Sequence, residues 1–231
     1  MPWQKSFQLR DFENFWRISP VQLHNGYGAL EVQKSLLDEG RKKTFPEWEN
    51  YTQAAIRRDE FYVGSSPMHY ALIDLLCENE DHPVYGGATE KIREFLEIQA
   101  QRSLLTLSKT TYRPFPYPDS ATHIQGTQKY EEPEHLFGSS GPLARLWDAD
   151  RMCTALFGKE DAKRVIKVNH WFSQKDTYLA REHDKPKTSH EKAVCFIAGP
   201  NGFHIGINCP ISQTYCSALG MRIRGLKEVD Y

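Results

Sequence analysis

The C-terminal third concentrates the side chains that could do chemistry: His170, His183, His190, Cys195, His204, Cys209 and Cys216. The first chemistry open to such a set is nucleophilic catalysis by a thiol beside an imidazole, with local positive charge favouring the thiolate. Cys195 and His204 are the candidate catalytic pair. In residues 193–209, AVCFIAGPNGFHIGINC, two apolar runs flank Gly199-Pro200-Asn201-Gly202. Pro presets one backbone angle, and Asn and Gly accept left-handed ones, so the chain reverses there as a β-hairpin. With the turn at 199–202, Ala198 faces Phe203, Ile197 faces His204 and Cys195 faces Gly206. Cys195 and His204 then lie diagonally on one face, because opposed and alternate residues share a face. The competing reading of Cys195 is a small apolar residue in a β core.

Metal binding is the second chemistry. His190, Cys195, His204, Cys209 and Cys216 are all zinc-ligand types, but their spacings, H-x4-C, C-x8-H, H-x4-C and C-x6-C, match no standard ligand pair. No metal is therefore expected. Anion binding is the third. Gly138-Ser139-Ser140-Gly141 could offer backbone N–H groups at a helix start, yet it lacks the Lys-Ser/Thr ending of a phosphate loop. The same residues serve as a helix cap and turn. Glu131-Glu132 and Asp148-Asp150 read as solvated surface rather than acid–base pairs.

Rings supply the binding candidates: Tyr112, Tyr117 and Trp171, which could stack bases or sugars, although core packing is the commoner use of such rings. Residues 112–119, YRPFPYPD, cannot form a helix interior. They read as an ordered loop with its rings packed on the core.

The elements that must position these groups follow from periodicity. Leu30, Val32, Leu36 and Leu37 suit a short amphipathic helix over 29–43, with Arg41-Lys42-Lys43 in its last turn. Thr44, Pro46 and Glu47 form a capping box that opens a second helix, and Ser66-Pro67 opens a third. A fourth begins near Ala88. Beyond about 102 the chain turns extended. Ser139–Pro142 should start a further helix, with Leu143, Leu146, Trp147, Cys153 and Leu156 as its buried stripe and Gly158 at its end. One more helix follows Glu160-Asp161. Strands take over from 177: residues 178–181, the hairpin and 218–223.

The aromatic share of 12% argues against disorder. Net charge is −1, split as −3 over residues 1–110 and +2 over the rest, which is no polyanion-binding surface overall, though a small basic patch is compatible with it. Five cysteines without a CxxC pair suggest reduced thiols, with a Cys209–Cys216 disulfide as the alternative. The charged N-terminus lacks the apolar run of a signal peptide, and no stretch approaches a membrane span.

Residues 218–224, ALGMRIR, resemble the last strand of sulfatase-modifying-factor-like, C-type-lectin-like domains. The resemblance covers those few residues and implies a sugar- or protein-binding module.

Together these readings predict an α+β protein: a helical N-terminal half packed beside a C-terminal half of two helices and an antiparallel β-sheet. Residues 1–110 form the helical region and 111–231 the mixed helix and antiparallel sheet region, the two able to make one compact domain. The expected function is that of a soluble, cytoplasmic, non-enzymatic binding or accessory protein with a cleft between the halves. Its ligand would be an unknown protein or small molecule. The alternatives are a Cys/His-dependent hydrolase using Cys195 and His204, and a nucleic-acid accessory protein, which the balanced charge disfavours. No cofactor and no membrane partner are expected.

Overall fold

A computed structural model describes residues 7–24 and 26–228 of the chain. It begins with strands: β1 (Gln8–Asp11), β2 (Phe15–Leu23) and β3 (Gly26–Leu36), then a short 3-10 turn at Leu37–Gly40. Next come α1 (Phe45–Arg57), β4 (Tyr62–Val63), α2 (Ser66–Glu78) and α3 (Gly86–Ala100). The middle holds β5 (Leu104–Tyr112), β6 (Ser120–Gln125), β7 (Gln128–Pro133) and β8 (Gly141–Pro142). Then follow α4 (Ala149–Phe157), α5 (Ala162–Ser173), β9 (Thr177–Ala180), β10 (His190–Gly199), β11 (Gly202–Pro210) and β12 (Leu219–Glu228).

The strands form two sheets among the described residues, ordered β1-β2-β3-β12-β4 and β7-β6-β5-β10-β11-β9-β8. The expected helical N-terminal half is therefore incorrect. Its first 30 described positions are a meander, and β3 pairs with β12 from the other end of the chain. Nor is the second sheet wholly antiparallel, because β9 runs parallel to β11.

The helix expected over 29–43 is strand β3 followed by the 3-10 turn. Leu30 and Val32 sit two apart and both enter the core, which is strand spacing. Glu31 between them points to the opposite face and is wholly buried there. Arg17 of β2 binds its carboxylate through Nε at 2.8 Å, and Arg222 of β12 through Nε at 2.7 Å. Cross-strand pairing thus satisfies a charge that would otherwise be costly to bury. These partners lie far away in sequence, so no local window reveals them.

Other starts and stops hold as read. The Thr44 N–H donates to the Glu47 carboxylate at 2.7 Å and opens α1. Asp161 caps α5 by accepting from the Lys163 and Arg164 N–H groups. Gly158 ends α4 in the left-handed region, with φ 67°. Ser139–Pro142 leads only into a 3-10 turn at Leu143–Arg145; α4 begins at Ala149, and Trp147 is exposed instead of belonging to a buried stripe.

The hairpin β10–β11 has the register read from the sequence: Ala198 opposite Phe203, Ile197 opposite His204 and Cys195 opposite Gly206. Its continuous apolar run is explained by burial on both faces. Val194, Phe196, Phe203 and Ile205 meet a large core shared with α2, α3, α4, α5 and the inner face of the first sheet. Ala193 and Cys195 meet a smaller core with Leu105, Leu107, Trp48 of α1, Cys216 and Ala218. Among the described residues no helix is long and apolar enough to cross a membrane.

Candidate functional site

The sequence-selected residues are dispersed. Cys195 is wholly buried, with its Sγ 3.8 Å from the Cys216 Sγ. Hydrogen bonding with Cys209 and then Cys216, together with burial, holds its thiol well above the ordinary range. His204 shares the diagonal position expected of it, but its ring stacks on Tyr178 at 5.3 Å. Cys195 faces the smaller core and His204 the Tyr178 ring. All five cysteines are free of disulfides, and no three metal-ligating groups converge on a metal-sized site among the described residues.

The ring candidates separate as well. Tyr112 is buried and donates its hydroxyl to the Ile207 carbonyl at 3.1 Å. Trp171 donates Nε1–H to the Glu80 carboxylate and lies against the Arg93 guanidinium, 5.6 Å from ring centroid to Cζ. Tyr117 projects into solvent with Phe115, so the loop 113–119 does not pack these rings on the core. Asp148, read as surface, is instead buried in a two-bond ion pair with Arg181, at 2.7 and 3.0 Å.

The built cleft lies elsewhere, where the two sheets approach each other across α2 and α4. It has a volume of about 490 Å³. The end of β2 supplies His24, the start of α2 supplies Pro67, and β6 and β7 supply His123, Gln125, Tyr130 and Glu132. The end of α4 and the turn beyond it add Thr154, Gly158 and Lys159. This volume falls in the range of small-molecule sites.

One wall is a locked relay. Register places Ser108 of β5 opposite His123 of β6. The Ser66 N–H at the start of α2 donates to Ser108 Oγ at 2.9 Å, and Ser108 Oγ lies 2.7 Å from His123 Nδ1. His123 Nε2 lies 2.8 Å from the Ala155 carbonyl, which can only accept. Nε2 therefore carries the proton, and the Ser108 hydroxyl donates to Nδ1. Burial pushes the His123 pKa down to about 4, so its ring is neutral at pH 7. Both ring nitrogens are spent on the protein, and this histidine serves as a rigid wall. Tyr130 is packed between it and His24, stacking on His24 at 3.7 Å with the rings 4° from parallel.

Gln125 stands two positions along the same strand face. It is 3% exposed, and among the described residues neither end of its carboxamide has a hydrogen-bond partner. An amide buried in this state carries a cost of about 1–3 kcal/mol for each unpaired group. The sequence reading missed this residue. Its only sequence signal is a polar side chain in a short strand, SATHIQ, which alternation alone would place on either face.

No family model, curated protein or solved structure matches the chain.

Proposed function

We propose that this chain is a binding protein that takes a small polar molecule into the cleft between its two sheets. The observation that carries this reading is Gln125: both a donor and an acceptor, buried and unpaired, at a cleft of about 490 Å³. A ligand that presents an acceptor beside a donor, as a carboxamide or a nucleobase edge does, would satisfy both ends at once by drawing the covered carboxamide toward the cleft. The rigid His123–Tyr130–His24 wall supports binding with little reorganisation, which lowers the entropic cost. Lys159, 3.8 Å from the Asp74 carboxylate, and Glu132 and Glu160 give the lining both signs of charge. A non-catalytic role is supported by the state of the nearby hydroxyls. Ser66 and Ser108 are wholly buried, and their hydrogens go to the Leu156 carbonyl and His123.

The test is a thermal-shift screen of nucleosides, nucleobases and small amides against the wild type and Gln125→Leu. Leu removes the unpaired amide, so the free variant should keep or gain stability. A compound at about 100 times its Kd stabilises the protein it binds by about 2.7 kcal/mol. That stabilisation should appear in the wild type and vanish in Gln125→Leu. Equal stabilisation of both proteins, or no stabilisation by any of these compounds, refutes the reading.

A further inference from the structure

A second groove, of about 520 Å³, lies away from this cleft and is bordered by Phe115 and Trp147. Each of these side chains is 86% exposed, and neighbouring Tyr117 is 62% exposed. Rings of this size bring large apolar areas to a contact, so leaving them in water forfeits much of what folding could gain. Neither ring stands out because its loop is loose. Asp119, wholly buried, accepts the Arg113 N–H at 2.8 Å and the Leu136 N–H at 3.1 Å. Lys185 Nζ joins it at 3.1 Å and also donates to the Tyr117 carbonyl at 2.9 Å. Trp147 is held by its neighbour Asp148, gripped by Arg181, whose Nε also donates to the Ser139 carbonyl at 2.9 Å. The rings are therefore displayed by two braced loops.

The charge around them is layered. Lys185 covers Asp119, and Arg151, 51% exposed, covers Glu134, 18% exposed. Asp148 faces inward to Arg181. At the Trp147 side an occupant meets the half-exposed Arg151 above Glu134, whereas the His183 side carries the exposed Asp184. An exposed Trp beside Arg matches the composition of interface hot spots, and pre-ordered anchors reduce the cost of binding.

We propose that this groove docks a segment of a protein partner that carries acidic residues beside one large apolar side chain. The apolar side chain sits between Phe115 and Trp147, and the acidic residues face Arg151, since Lys185 spends its three N–H groups on Arg113, Tyr117 and Asp119. This site is separate from the Gln125 cleft, and its failure would leave that reading untouched.

The test is selection of displayed random peptides on the full chain, with counterselection on the double variant Phe115→Ala/Trp147→Ala. Both rings are exposed, so the variant should keep its far-ultraviolet circular dichroism and melting temperature. Enriched peptides should combine Asp or Glu with an aromatic residue or Leu. Their affinity should fall about tenfold or more in Trp147→Ala, as expected for a hot-spot ring, and should weaken in Arg151→Glu. Three results would overturn the proposal: no enrichment over the variant, enriched peptides without acidic residues, or Trp147-dependent binding to phosphatidylserine vesicles in place of peptides.

Discussion

Acidification should destabilise this protein well before its carboxylates titrate, and two buried histidines set the window. His123 and His69 both have folded-state pKa values lowered by burial from 6.5 to about 4. His69 donates Nδ1–H to the Ser65 carbonyl at 2.9 Å and leaves Nε2 buried without a partner among the described residues, so a second proton there would be a buried, unpaired charge. In His123 a proton on Nδ1 would displace the hydrogen that Ser108 donates. The unfolded chain takes up these protons near pH 6.5, whereas the folded chain resists them until about pH 4. Stability is thus full above the unfolded value, falls as pH drops through the window, and levels off below the folded value. A shift of this size corresponds to about 3 kcal/mol per histidine. That is a large share of a typical total of about 5–15 kcal/mol. Urea unfolding between pH 7.5 and pH 4 measures it directly. The wild type should lose several kcal/mol, and His123→Gln should show about half that dependence, whatever its stability at pH 7.5. Wild-type stability that is flat across the window, or a His123 ring that titrates near pH 6.5 by NMR, would refute the reasoning.

Cysteine reactivity should follow burial rather than the catalytic pairing considered for the sequence. Cys209 is partly exposed and its thiol is lowered by a hydrogen bond from Cys195, whereas Cys195 is wholly buried and raised. Iodoacetamide at neutral pH should therefore label Cys209 before Cys195, read by peptide mass mapping; faster labelling of Cys195, abolished by His204→Ala, would reverse that order. Gly202→Val should lower stability by about 1–3 kcal/mol through overpacking. A Cβ on Gly202 would lie 2.8 Å from the Tyr178 ring and 2.9 Å from the Asp176 carbonyl, and an unchanged melting temperature would show that the turn relaxes freely.

The sequence by itself determined what is local. Thr44 with Glu47, Asp161 and Gly158 announce helix ends because capping groups bond within a few residues of themselves. The β10–β11 register was legible for the same reason: its turn, Gly199 to Gly202, joins the two strands it aligns. What the sequence could not supply is pairing at a distance. Residues 29–36 carry a pattern that suits either period, and only the arrival of β2 on one side and β12 on the other selects the strand. Both candidate sites have the same origin. Gln125 lines a cleft because β2, α2 and α4 meet beside β6, and Trp147 stands in solvent next to Asp148, which the distant Arg181 grips. Short-range hydrogen bonds write themselves into neighbouring residues, whereas burial is decided by whichever distant surface comes to lie on top.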